Sequence, residues 1–260
     1  MHAFQNENIL GYPVATASKE DCREKVLEWI LSGEQARYFV CANPHSLVVA
    51  HRDSLFREAI QHADLVVPDG IGIALASLIL GGNIRARVTG SDIFQGVNSA
   101  MNRRKSGSVF FLGSTEANLA KIREKMGVDF PEIEVAGVYS PPFKSEFTPE
   151  EDHRMITAIN RAKPDVLWVG MTAPKQEKWI YQNLGRLEVK FIGAIGAVFD
   201  FYTGKVKRSH PVFQRWGMEW LPRLIQEPGR LWRRNLVSNP LFLLRIFGEK
   251  ALRVADPDGS

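Results

Sequence analysis

Short apolar runs alternate with longer amphipathic stretches along most of this chain, and the alternation predicts its elements. Tyr38-Phe-Val-Cys-Ala, Leu65-Val-Val, Ser108-Val-Phe-Phe-Leu-Gly113, Ile133 to Val138, Asp165-Val-Leu-Trp-Val-Gly170 and Val189 to Ala194 read as buried strands. Each is a brief apolar run bounded by polar residues, Pro or Gly. Between them lie helical patterns. Ser18 to Leu31 places Val26, Leu27, Ile30 and Leu31 on one face, with Ser18 as N-cap and Asp21 completing a capping box. His45 to Ile60, Ile73 to Leu80, Asp92 to Met101 and Pro174 to Asn183 follow, with a stretch capped by Ser114 or Thr115 that runs to Met126. Thr148 opens a further helix whose first turn carries Glu150 and Glu151, where negative charge meets the positive end of the helix dipole. Strand followed by helix, repeated, predicts a parallel sheet covered on both faces.

Beyond Phe201 the pattern changes. Strand-like runs stop, and Trp216, Trp220 and Trp232 interleave with Arg215, Arg223, Arg230, Arg233 and Arg234. Asn239-Pro240 then starts a short apolar helix through Leu241 to Phe247, with Pro at its first helical position. The expected architecture is therefore an α/β, Rossmann-like parallel sheet over residues 1–201, with a small helical appendage over 202–260. Charge divides at the same boundary. From Thr203 onward there are eleven Lys or Arg against five Asp or Glu, a net of +6; the whole chain carries +4, so the first 202 residues carry −2. A basic segment rich in Trp, Leu and Phe fits a membrane surface better than a solvated face or nucleic acid, since anionic lipid attracts each basic residue by roughly 1 kcal/mol.

Composition narrows the class only moderately. The chain is 45% apolar and 24% charged, as in ordinary soluble proteins. Two cysteines, Cys22 and Cys41, make no disulfide framework, so reduced cytosolic thiols are expected. The first residues have neither the basic start nor the apolar core of a signal peptide. The longest apolar run, Ile71 to Leu80, is about half of what a spanning helix needs.

Candidate chemistry gathers at the strand ends. In Asp64-Leu-Val-Val-Pro-Asp69-Gly70-Ile-Gly72, Pro68 ends a strand and Asp69 stands above a helix start, where open α/β sheets bind ligands. Asn43, Asp69, Gly113, Tyr139 and Gly170 end successive strands and share one edge if the sheet is parallel. Met171-Thr-Ala-Pro-Lys-Gln176-Glu177 is a polar helix start, and Gly193-Ala-Ile-Gly196-Ala-Val-Phe-Asp200 a second Gly-rich strand end. No dinucleotide fingerprint, P-loop or nucleophile elbow is present, and no metal-ligand spacing occurs. One prominent carboxylate in a metal-free site suits general-base work.

Together these blocks resemble the WecG/TagA/CpsF family, glycosyltransferase family 26. The resemblance rests on Asn43-Pro44, Val67 to Gly72, Arg87-Val-Thr-Gly-Ser-Asp92, Ala173 to Trp179, Gly193 to Asp200 and Met218 to Pro228, in the family's order. It implies an inverting, metal-independent transfer from a UDP-sugar to a polyprenyl-diphosphate-linked saccharide, without a cofactor, at the cytoplasmic membrane face. By resemblance Asp69 is the general base, Gln176 positions a sugar, and Asn43 and Arg87 line the substrate site. Tyr139 stacks on the uracil, Asp200 bonds the nucleoside, and Arg223, Arg230 and Arg233 meet the diphosphate. Family donors carry N-acetylmannosamine, its uronic acid or glucose. Cys41 stands where a Thr is expected, and Met171-Thr172 replaces a more usual Gly-containing start; both changes bear on the donor. A noncatalytic UDP-sugar-binding scaffold or sensor is the alternative expectation.

Overall fold

The computed structural model describes residues 5–33, 36–85, 87–206 and 233–255. An antiparallel hairpin, β1 (Asn6–Ile9) and β2 (Tyr12–Ala15), opens the chain. Leu10 and Gly11 both have positive φ (54° and 87°), the backbone of a two-residue turn matched to strand twist. The apolar pattern does not announce this hairpin, because its strands are four residues long and one contains Pro13.

The α/β unit then runs α1 (Lys19–Ser32), β3 (Arg37–Ala42), α2 (Pro44–Ala50), α3 (Ser54–Gln61), β4 (Leu65–Pro68), α4 (Ile71–Leu80) and α5 (Gly90–Arg103). It continues through β5 (Ser108–Gly113), α6 (Glu116–Asp129), β6 (Glu134–Tyr139), α7 (Pro149–Ala162), β7 (Val166–Gly170), α8 (Lys175–Asn183), β8 (Phe191–Ala194) and α9 (Val198–Tyr202). After residues 207–232, which are outside the described set, a π-helical stretch (Arg233–Ser238) leads into α10 (Asn239–Ala255).

Six strands form one sheet in the order β4-β3-β8-β7-β5-β6, and every pairing is parallel. The expected sheet with helices on both faces is what the chain adopts. Alternate residues of each strand face opposite layers. Tyr38 and Val40 of β3 join Leu47, Phe56, Met155, Trp179 and Phe242 on one side. Phe39 joins Val26, Ile93, Leu119, Trp168 and Phe199 on the other. The second layer is strongly aromatic: Phe39 stacks on Phe191 at 5.8 Å, and Trp168 meets both Phe191 (6.0 Å) and Phe94 (5.2 Å) edge-on.

Several expected elements are corrected. The helix expected over His45 to Ile60 is two helices, because Asp53 breaks it: its carboxylate accepts from the Phe56 N–H at 3.1 Å and caps α3. The last strand begins at Phe191, not Val189, where its pairing with Arg37 of β3 and Val166 of β7 begins. The C-terminal helix runs on past Phe247 to Ala255. Its buried Phe242 and Ile246 anchor it to the sheet layer, and Glu249 accepts from the Leu10 N–H at 3.1 Å. The Ser18–Asp21 capping box is present as expected.

Candidate active site

Asp69 is held by its backbone. Its N–H donates to the Ala42 carbonyl at 2.8 Å, while the carbonyl of Pro68 accepts from Val88 at 3.0 Å. The residue is thus fixed between the end of β3 and the segment leading to α5. Gly70, at φ +99°, makes the sharp entry into α4 that a side chain would resist. A Cβ on Gly72 would come 2.4 Å from the Pro44 ring, so only Gly lets α4 approach the start of α2. That contact brings Asn43 beside the Asp69 loop. Asn43 caps α2 through its Oδ1, which accepts from the Ser46 N–H at 3.0 Å. Arg87 lies with Nε 3.8 Å from Asp69 Oδ1, the two side chains 30% and 28% exposed. A carboxylate reachable from solvent beside a guanidinium can take a proton while an adjacent anion is held.

Below this pair α8 begins with two polar residues that are only 4% exposed, Gln176 and Glu177. Gln176 Nε2 donates to Glu177 Oε1 at 2.8 Å. Gln176 Oε1 and Glu177 Oε2 are buried with no hydrogen-bond partner, an arrangement that costs about 1–3 kcal/mol for each such group in a folded protein. Burial pushes the Glu177 carboxyl up to about 7, although the Gln176 amide opposes the shift. Burial likewise holds the nearby Cys41 thiol well above its ordinary range, reinforced by the charges of Asp69 and Glu177, with the Gly90 N–H opposing. Gln176 lies in the first turn of α8, after the end of β7, and is bonded to Glu177, a partner that sequence reasoning passed over. The signal was readable: Glu177 is three residues before Ile180, on the apolar face of its own helix.

The opposite flank is organised differently. Asn118, buried in α6, donates to Ser114 Oγ at 2.9 Å and to Asp200 Oδ1 at 3.2 Å, and accepts from Thr203 Oγ1 at 2.7 Å. Ser140, next to Tyr139, donates to the Ser114 carbonyl at 2.8 Å. Asp200 also faces Lys205 at 3.5 Å. One hydrogen-bonded chain thus runs from the end of β6 to α9, and Asn118, absent from the expected site, is its hub. A groove of about 740 Å³ lies against it, lined by Tyr139, Ser140, Glu116 and Arg123 among others.

Arg223 and Arg230 lie outside the described residues. Arg233 is placed as backbone in the π-helical stretch, its side chain outside the described set. Among the described residues no group of three His, Cys, Asp or Glu could hold a metal ion, and no helix is long and apolar enough to cross a membrane.

The profile of the glycosyl transferase WecG/TagA/CpsF family matches residues 7–255. The chain belongs to this family. Among curated relatives, the N-acetylglucosaminyldiphosphoundecaprenol N-acetyl-β-D-mannosaminyltransferase of Bacillus spizizenii is 30% identical over 79% of this chain and 77% of its own length. The protein of that name from Bacillus subtilis is 29% identical over 95% of this chain and 93% of its own. One from Staphylococcus aureus is 28% identical over 80% and 79%. This chain is accordingly a glycosyltransferase, with Asp69 directly after β4, Arg87 facing it, and Gln176 and Glu177 in the first turn of α8.

Proposed function

We propose that the protein transfers a hexose from a UDP-sugar to a polyprenyl-diphosphate-linked saccharide, with inversion and without a metal, in bacterial surface polysaccharide synthesis. The observation that carries this reading is the carboxylate of Asp69, pinned by its backbone at the carboxyl end of β4 and facing Arg87. The relatives' names supply the substrate classes: an N-acetylmannosaminyl group delivered in β linkage to N-acetylglucosaminyl-diphosphoundecaprenol. N-Acetylmannosamine is therefore the first donor to test, with its uronic acid and glucose next.

A β-linked product from an α-linked sugar nucleotide needs one displacement and one base. The acceptor hydroxyl oxygen attacks the anomeric carbon, its proton passes to Asp69, and the bond to the diphosphate breaks with the electron pair leaving on UDP. Asn43, Arg87 and Gln176 hold the reacting sugars, Tyr139 stacks on the uracil, and Asp200 bonds the nucleoside. Arg223, Arg230 and Arg233 take the charge that develops on the leaving diphosphate, the role a metal plays elsewhere.

The enzyme works at the inner face of the cell membrane without crossing it. Support comes from apolar side chains turned to solvent on two helices that pack together: Ile71, Leu75 and Leu78 on α4, and Leu244, Phe247 and Val254 on α10. They adjoin the basic C-terminal quarter of the chain, the combination that binds anionic bilayers. A radiolabel transfer assay with a panel of UDP-sugars and short polyprenyl-diphosphate acceptors tests the reaction. Transfer by the wild type and none by Asp69→Asn, with UDP binding retained, is expected. UDP binding without transfer to any acceptor would favour the scaffold reading.

A further inference from the structure

Glu177 has a place in the site that Asp69 chemistry does not explain. It is a carboxyl taken almost wholly out of solvent at the first turn of α8, and one of its oxygens is used on a neighbouring amide while the other has no partner. The residue it binds, Gln176, is itself buried and reaches toward Gly196 at the end of β8. A Cβ placed on Gly196 would lie 3.4 Å from Gln176 Oε1 and 3.5 Å from Nε2. An amide in that position can present either its oxygen or its nitrogen to a ligand. A carboxylate accepts and does not donate, so it selects the nitrogen for itself.

We propose that Glu177 is a positioning residue: by holding Nε2 of Gln176 it leaves the Gln176 carbonyl oxygen as a fixed acceptor for a hydroxyl or acetamido N–H of the bound sugar. This rests on the reading of the crevice as a sugar-nucleotide site. The orphaned Gln176 Oε1 is then the unfilled valence that the sugar satisfies. The clamp needs Glu177 ionised. Cys41 of β3 is the neighbouring thiol, which also feels the charges of Asp69 and Asp92. From α3, Asp53 and Glu58 reach Lys178 and Tyr181 on α8, and from α7 Asp152 takes the Trp179 ring N–H. Against burial, the Gln176 amide and the backbone N–H of Glu177 itself favour the ionised form.

The test is Glu177→Gln, in which the replacement can accept or donate and the neighbouring amide is free to turn over. Calorimetric affinities for UDP alone and for UDP-N-acetylmannosamine isolate the sugar's contribution. The expected result is UDP affinity unchanged within about twofold and the sugar's increment reduced about tenfold, the loss of one well-placed hydrogen bond. In turnover, KM for the donor rises more than kcat falls. An unchanged sugar increment would overturn the proposal. The side-chain NH2 resonances of Gln176, assigned by their disappearance in Gln176→Asn, give a readout that needs no donor. They shift with a midpoint near pH 7 in the wild type and lose that titration in Glu177→Gln. Resonances that do not titrate, or that titrate equally in the variant, refute the clamp. If the wild type binds UDP but gains nothing from any attached sugar, the donor assignment fails, and the resonances decide the clamp separately.

Discussion

Both flanks of the strand-end crevice carry polar side chains, yet the hydrogen bonding of one is closed and that of the other is not. Around Asn118 the donors and acceptors are matched: Ser114, Asp200 and Thr203 all find it, and Ser140 ties the end of β6 into the same chain. Around α8 the matching stops short, leaving Gln176 Oε1 and Glu177 Oε2 buried without donors. A saturated network is rigid before anything binds, which suits recognition of an invariant nucleoside. An unsaturated pocket stores free energy that a ligand with the right donors releases, which suits discrimination among sugars. On the proposed function, stability is given up where the sugar is selected.

Four substitutions break or sharpen this contrast. Asp69→Asn should lower transfer by about a hundred- to ten-thousand-fold, the usual worth of a general base, with UDP affinity unchanged in calorimetry. Loss of UDP binding would instead mark Asp69 as a binding group. Next in size, Glu177→Gln should stabilise the protein at alkaline pH. The folded carboxyl titrates near 7 against an ordinary 4.5, so between those values the folded chain keeps a proton that the unfolded chain has lost. Stability therefore falls as pH rises through that window, and above 7 the full cost stands, about 3 kcal/mol. Removing it while losing one charge-assisted hydrogen bond leaves a gain of about 2 kcal/mol, or roughly 5 °C in Tm at pH 8, shrinking toward nothing near pH 5. Differential scanning fluorimetry across pH reads this directly, and a Tm lowered at pH 8 would contradict it.

On the saturated flank the sign reverses. Asn118→Ala removes the hydrogen bonds to Asp200, Ser114 and Thr203 at once and should destabilise by about 1–3 kcal/mol, with UDP binding weakened several-fold in parallel. Urea denaturation and calorimetry on one preparation check both. Smallest is Lys205→Ala. Its pairing with Asp200 spans 3.5 Å and the ammonium is more than half exposed, so a change below about 0.5 kcal/mol is expected. A larger effect would mean that the pair is worth more than its distance and exposure imply.

Much of this was legible in the residues. The strands announced themselves through apolar runs because a parallel sheet is buried on both faces and tolerates little else. Their ends, Asn43, Asp69, Gly113, Tyr139 and Gly170, could be put on one edge because parallel strands all point the same way. Family blocks then attached roles to Asp69, Arg87 and Gln176. The hairpin β1–β2 escaped, since four-residue strands carry too short a pattern. The break between α2 and α3 escaped too, because a capping Asp inside an apolar-periodic stretch looks like any surface Asp. The second failure is a local competition between helix and cap.

What the sequence determined by itself was periodicity and covalent order: the α/β class, the basic C-terminal quarter, and the strand-end placement of Asp69. What only the tertiary structure decided was which polar groups were taken out of water together. Glu177 and Gln176 are adjacent in the chain, and Asn118 and Asp200 are far apart in it, yet neither spacing says that one pair would be left short of donors and the other satisfied. Burial and hydrogen-bond matching depend on neighbours from β3, β8, α6 and α9 at once, and that sum exists only when the chain is folded.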